Sequence, residues 1–230
     1  MIEQIGTLHV KRNSTINYIV NLPNNYAEKT YELFPMILFL HGIGERGNDI
    51  NKVKKYGIHR YIDVIDIPFV IVSPQCNSNN FWEAHINDIE HLLEDIKMRY
   101  RVDMGRICLV GVSLGAYGAW NFAMQRPKLF SSIVSIAGGA MLTKYANVIS
   151  HIPSYIVHGE LDNEVSVSES IKISDALVKA GGKVDLMVMP DMGHEICTKI
   201  FESNELYKWI ENNTIHQIVR NIQCEVPLAE

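Results

Sequence analysis

The sequence predicts an α/β fold: a doubly wound, mostly parallel sheet with helices on both faces and no large cap domain. Three observations predict it. Continuous apolar runs of strand length recur along the chain and alternate with segments whose apolar residues fall at helical spacing, the pattern of βαβ units with strands buried on both faces. Glycine-rich or acidic loops follow several of these runs, at the strand carboxyl ends where open α/β sheets bind ligands. One run ends in Gly111-Val112-Ser113-Leu114-Gly115 and turns directly from strand into helix.

That last stretch organises the rest. Residues 107–111 make a short buried strand, and the alanine, aromatic and methionine content from Ala116 onward is that of a packed helix. Ser113 then sits on the reversal, where side chains at 111 and 115 would collide with the neighbouring strand and helix. Its hydroxyl is left at the carboxyl end of the sheet with a helix amino end behind it, which favours the negative charge that develops when a serine attacks an acyl carbon.

Elements follow in order on the same logic. Residues 5–22 alternate loosely and are rich in Val, Ile, Thr and Tyr, as two antiparallel edge strands about a turn near 11–14 would be. The run over 34–40 is a strand buried on both faces, ending in His41-Gly42. The loop after it, 42–49, carries three glycines, and there the Ile43 N–H can serve as one donor of an oxyanion hole, with the Leu114 N–H as the other. A phosphate-binding loop or a plain turn is the alternative, although no dinucleotide fingerprint and no G-K-S/T follows. A helix over 51–64 and a strand over 67–73 lead to Gln75, Phe81 and Trp82, which either line a pocket or form a surface loop pinned by a buried Trp82.

Ile86, Ile89, Leu92, Leu93 and Ile96 mark a crossover helix over 84–100. Pro127 stops the helix after the elbow, and a strand over 129–137 ends at Gly138-Gly139. The connection 140–151 is too short for a cap. A strand over 153–158, a helix over 168–180, a strand over 184–189 and a helix from about 195 to about 212 complete the pattern, with 214–230 as a terminal helix plus tail of no assigned role.

A chain of 230 residues can bury one sizeable core, so the expectation is a single domain over 1–230. With 47% hydrophobic and 20% charged residues and a net charge of -5, it has the balance of an ordinary globular protein and not that of a nucleic-acid or anionic-membrane binder. Neither a signal-peptide run nor a membrane-spanning stretch is present, so a cytoplasmic location is expected. Cys76, Cys108, Cys197 and Cys224 show no C-x-x-C spacing and no H-E-x-x-H helix exists, so no metal or cofactor is implied. His41 and His158 each precede a glycine at a strand end, where their rings are expected to hold loops by hydrogen bonds.

A serine hydroxyl is a poor nucleophile without a base, and the base needs a third group to fix its tautomer. Ser113, Asp162 and His194 supply these in the order Ser, Asp, His, each after an apolar strand. Glu160 and Glu164 flank Asp162 as competing acids, and Asp162 and His194 could instead be helix caps.

On these residues the chain resembles the α/β-hydrolases of the carboxylesterase and predicted-peptidase group related to acyl-protein thioesterases and polyhydroxybutyrate depolymerase-like esterases. The segments that carry the resemblance are LFLHGIGERGND at 38–49, SPQC with Trp82 after it, GVSLGAYGAW, HGELDNEV and the Gly193-His194 pair, so it spans roughly 36–195. It implies the α/β-hydrolase fold and ester hydrolysis through an acyl-enzyme, with Ile43 and Leu114 as oxyanion donors. Asn163 stands where the family usually has proline. The expected function is cleavage of small or exposed carboxylic esters by Ser113, Asp162 and His194, with Gln75 and Trp82 on the substrate and a small-molecule ester as partner. Amide cleavage by a serine peptidase is the second possibility, and a catalytically silent binding module the third.

Overall fold

The computed structural model describes residues 1–10 and 14–214. One sheet of eight strands runs through them in the order β1-β2-β4-β3-β5-β6-β7-β8. The strands are β1 (Ile2–Val10), β2 (Ser14–Leu22), β3 (Phe34–Leu40), β4 (Val70–Pro74), β5 (Val102–Val112), β6 (Ser132–Ile136), β7 (Ser154–Gly159) and β8 (Val184–Met189). Pairings β1–β2 and β2–β4 are antiparallel, and every pairing from β4 across to β8 is parallel. The expected edge hairpin is therefore present, while the turn joining its strands and the tail after 214 lie outside the described residues.

The strands are apolar on both sides because both sides are covered. Along β3, Met36, Leu38 and Leu40 belong to one buried cluster and Ile37 and Phe39 to the other. The first cluster is closed by α1 (Ile86–Arg99), α2 (Leu114–Gln125) and α3 (Val167–Lys179). The second is closed by α4 (Ile196–Lys199), α5 (Asn204–Asn213) and the short turns before β4. Helix α1 shows how the pattern becomes energy: its five apolar residues at helical spacing are buried, each contributing about 1.5–3 kcal/mol.

Two expected helices take another form. Residues 51–64 hold two 3₁₀ turns, Ile50–Lys54 and Gly57–Arg60, instead of an α-helix. Gly57 breaks it: φ is +68°, and a side chain there would meet the Phe39 ring. The last helix divides into α4, a 3₁₀ turn and α5 because Ser203 is extended (φ −84°, ψ 118°) and its side chain accepts from the Glu205 N–H, starting a new helix. Between β6 and β7 the connection holds only a 3₁₀ segment, Thr143–Ile149, so nothing roofs the carboxyl edge there.

Candidate active site

Ser113 joins β5 to α2 with φ 54° and ψ −117°, a conformation that costs a non-glycine residue free energy and persists only where its surroundings impose it. Its N–H donates to Ile136 O at 2.8 Å, tying the turn to β6. The flanking glycines have no room for anything larger. A methyl on Gly111 would stand 2.3 Å from Gly115 O, and one on Gly115 would stand 1.9 Å from Leu40 O. The strained turn thus presses α2 against β3 and leaves the Ser113 hydroxyl free of any capping bond.

The loop after β3 comes up against the same serine: a methyl on Gly42 would be 3.6 Å from Ser113 Cβ. Among the described residues, neither the Ile43 N–H nor the Leu114 N–H donates to any group. Each opens a helical turn, so each is one of the donors a helix leaves unpaired at its amino end. The loop after β3 and the turn at Ser113 therefore meet with one free backbone donor on each, Ile43 next to Gly42 and Leu114 next to Ser113.

The loop is held from behind. His41 donates from Nδ1 to Gly42 O (2.7 Å) and accepts from the Cys76 N–H at Nε2 (3.0 Å). It is fully buried, and burial pushes its pKa down to about 4, so it stays neutral and in that tautomer. Trp82 donates from Nε1 to His41 O (3.0 Å) with its ring edge-on to the imidazole. Gln75 donates from Nε2 to Glu45 O (2.8 Å) and Asp49 O (2.7 Å). Gln75 and Trp82 are each 1% exposed. The structure therefore places them underneath the loop and not on an exposed pocket wall: their N–H groups satisfy loop carbonyls that burial would otherwise orphan, while Gln75 Oε1 has no hydrogen-bond partner among the described residues. Of the two alternatives for Trp82, the pinned loop is the one observed.

The other half of the site comes from the far end of the chain. Asp162 follows β7, and its carboxylate accepts from the Glu164 N–H and the Val165 N–H through Oδ1, both at 2.9 Å. Its Oδ2 lies 2.7 Å from His194 Nδ1, and His194 Nε2 lies 3.1 Å from Ser113 Oγ. Burial alone would push the Asp162 carboxyl up; the bonds from Val165, His194 and Glu164 outweigh it and hold the group below its ordinary range. The carboxylate thus requires the proton on Nδ1, which leaves Nε2 free to take one from Ser113. Loops after β7 and β8 are fastened together by Glu160 N–H to Met189 O and Leu161 N–H to Met192 O, both 2.9 Å, and this brings acid and histidine into reach.

Ser113, Asp162 and His194 are thus brought together in one hydrogen-bonded line, with Ile43 and Leu114 beside it. Glu160 is exposed and outside that line, and Glu164 comes no nearer than 3.8 Å to His194 Nε2, with its side chain 65% exposed. Three neighbours escaped the sequence reading. Glu45 is buried under the loop with its carboxyl raised by that burial. Cys197 places Sγ 3.7 Å from His194 Nε2, and its thiol is raised by burial and by the carboxylates of Asp162 and Glu45, so it stays neutral. His158 contacts Asp162 itself, as described below. Only the spacing of Cys197, three residues after His194, carried any signal, since one helical turn returns a side chain to the same face. Among the described residues no cluster of His, Cys, Asp and Glu is placed to hold a metal ion, and no helix is long and apolar enough to cross a membrane.

The sequence profile of the phospholipase/carboxylesterase family matches residues 67–213. The chain belongs to that family. The matched segment contains Ser113, Asp162 and His194 and begins after the loop that carries Ile43. The esterase YpfH of Escherichia coli (strain K12) is 21% identical over 197 residues, covering 78% of this chain and 82% of its own. Among solved structures, a thermostable esterase superposes with a TM-score of 0.82 at 24% identity over 93% of this chain, which spans 63% of the esterase's length. A ferulic acid esterase does so with 0.71 at 20% identity, covering 93% of this chain and 98% of its own. Dipeptidyl peptidase 4 of Porphyromonas gingivalis gives 0.75 at 14% identity over 92% of this chain and 35% of its own. At these identities the structural likenesses establish the α/β-hydrolase fold, which esterases and peptidases share.

Proposed function

We propose that this member of the family is a serine hydrolase that cleaves small or exposed carboxylic esters through an acyl-enzyme. The observation that carries the proposal is the bridge made by His194, 2.7 Å from Asp162 and 3.1 Å from Ser113. In the first step Ser113 Oγ attacks the acyl carbon while its proton passes to His194 Nε2. The carbonyl oxygen takes the negative charge between the Ile43 and Leu114 N–H groups. His194 then hands the proton to the departing alcohol, and a water activated by the same nitrogen releases the acid and restores the serine. Asp162 stays ionised throughout and stabilises the imidazolium. Small or exposed acyl groups fit best because the only structure between β6 and β7 is the segment Thr143–Ile149.

The test is turnover of a panel of short-chain esters together with fluorophosphonate labelling, using Ser113→Ala as the blank. Wild type should turn over and label. Ser113→Ala should lose about 10⁴-fold or more in kcat and all labelling while keeping its fold, since only binding and oxyanion contacts remain. Near-wild-type turnover in that variant would sink the assignment, and an amide matched to the best ester separates esterase from peptidase.

A further inference from the structure

We propose that His158 is a positioning residue of this active centre: its Nε2 fastens the acid loop by donating to Val165 O and stands 3.2 Å from the carboxylate oxygen of Asp162 that orients His194. The proposal rests on the serine hydrolase reading above. His158 sits at the end of β7, and its side chain and that of Asp162 are both fully buried. Its Nε2 lies 3.2 Å from Asp162 Oδ2 and 2.9 Å from Val165 O. A carbonyl and an ionised carboxylate have no proton to offer, so the proton between them belongs to Nε2. On the other side of the ring, Nδ1 lies 2.7 Å from Ser170 Oγ, and that hydroxyl lies 2.8 Å from Gly138 O. The ring is thereby fixed from α3 as well as from its own loop.

Counting the acceptor sites shows what this contact does. A carboxylate has about four sites for hydrogen-bond donors. Asp162 fills three of them with the Glu164 and Val165 N–H groups on Oδ1 and with His194 on Oδ2, and the His158 Nε2–H, bonded to Val165 O, stands 3.2 Å from Oδ2 on the remaining side. With three bonds made from different directions and a buried N–H against the fourth side, the carboxylate cannot turn without breaking a buried bond, and Oδ2 is kept facing His194 Nδ1. Without His158 the acid loop loses its tie at Val165 O and Oδ2 loses the N–H beside it, which favours other orientations. Val165 is gripped twice, its N–H by Asp162 and its carbonyl by His158, so the same imidazole closes the acid loop back onto β7.

A purely structural staple and a positioning donor make different predictions, and two substitutions separate them. The side-chain amide of asparagine can reach the place of Nδ1 and keep the Ser170 contact through its oxygen, while losing Val165 and Asp162. That of glutamine can reach the place of Nε2 and keep Asp162 and Val165. We expect His158→Asn to lower kcat per fluorophosphonate-titrated site about tenfold or more with KM within about twofold, the signature of an interaction used in the transition state. His158→Gln should return kcat to within about threefold of wild type, even if both variants melt earlier. Equal loss in the two variants, or loss that only follows the titratable fraction, would overturn the proposal.

Should either variant fail to fold, the wild-type protein carries the test. A long-range ¹H–¹⁵N spectrum must show His158 protonated at Nε2, and a spectrum showing Nδ1–H alone refutes it. Absence of both labelling and turnover in wild type would instead count against the hydrolase reading, and the spectrum then judges on its own whether His158 holds the acid loop from Nε2.

Discussion

At the residue scale the site is governed by which of several similar side chains is buried and fully bonded. Three acids stand within five positions, and only Asp162 has its side chain out of solvent, its oxygens on two backbone N–H groups and its Oδ2 on His194. Glu164 lies 3.8 Å from His194 Nε2 through an exposed carboxylate, a separation at which water and salt screen most of the attraction. Asp162→Asn should therefore cut kcat by about 10⁴-fold, because an amide nitrogen facing Nδ1 favours the wrong tautomer. Glu164→Gln and Glu160→Gln should each stay within about threefold of wild type. A kinetic panel with one ester checks this, and a crippled Glu164→Gln would move the acid's role to that residue. An acid just after an apolar strand was legible in the sequence, but Glu160 and Glu164 share that place, and only the structure shows which of the three lies against His194 Nδ1. The contact from His158 was not legible, because a histidine before a glycine announces a loop anchor without saying which atom it anchors.

At the element scale, the strands and the strand-to-helix turn at Ser113 could be read from sequence because each rests on a strong local signal: apolar runs for β3 to β7, and two glycines four apart around a serine. What could not be read were the places where a tertiary contact overrules periodicity. Residues 51–64 have a helical spacing of apolar groups, yet Gly57 is held at positive φ against the Phe39 ring, and that contact is 18 residues away in sequence. Gln75 and Trp82 were legible as residues near the site but not as its support, because sequence places a side chain at a strand end without giving the direction it points. The glycines offer the sharpest test. Gly115→Ala would push a methyl to 1.9 Å from the Leu40 carbonyl, an atom fixed in the middle of the sheet, whereas Gly44→Ala meets nothing within 4 Å. Gly115→Ala should cost about 3 kcal/mol or more, by separating α2 from β3 or by preventing folding. Gly44→Ala should change stability by less than about 0.5 kcal/mol, as surface substitutions do. Urea titration of the two variants decides, and equal midpoints would mean that the elbow is looser than its geometry implies.

At the scale of the whole molecule, an open carboxyl edge and a buried set of histidines set two properties. For the hydrolase proposed above, the open edge should limit the acyl chain, since each CH₂ contributes about 0.8 kcal/mol only where there is surface to bury it against. With Trp82 and Gln75 facing the loop, acetyl to butyryl esters should show higher kcat/KM than decanoyl esters, and a monotonic rise out to twelve or more carbons would contradict this. The histidines set the response to acid. Burial pushes His41 down to about 4 and His59 down to about 3, and both are nearly inaccessible to water. An unfolded chain would protonate them near ~6.5. Between these values the unfolded state binds protons that the folded state refuses, so stability is full above the window and is lost as the pH falls through it. Each histidine contributes a slope of about 1.4 kcal/mol per pH unit there. Glu45 works the other way, since its raised carboxyl binds a proton more readily in the folded state, but it is one group against two. The lowered carboxyl of Asp162 adds its own loss only at lower pH. Two pH units across the window remove about 5 kcal/mol, a sum as large as the whole stability of many domains, so acid unfolding should set in well above the ordinary carboxylate range. Denaturant midpoints at pH 7.5, 6 and 5 measure the slope, and His59→Gln, which leaves the loop under Ile43 untouched, should reduce it by about half. Stability that stays flat from pH 7.5 to 5 would show that these imidazoles are not held neutral by the fold.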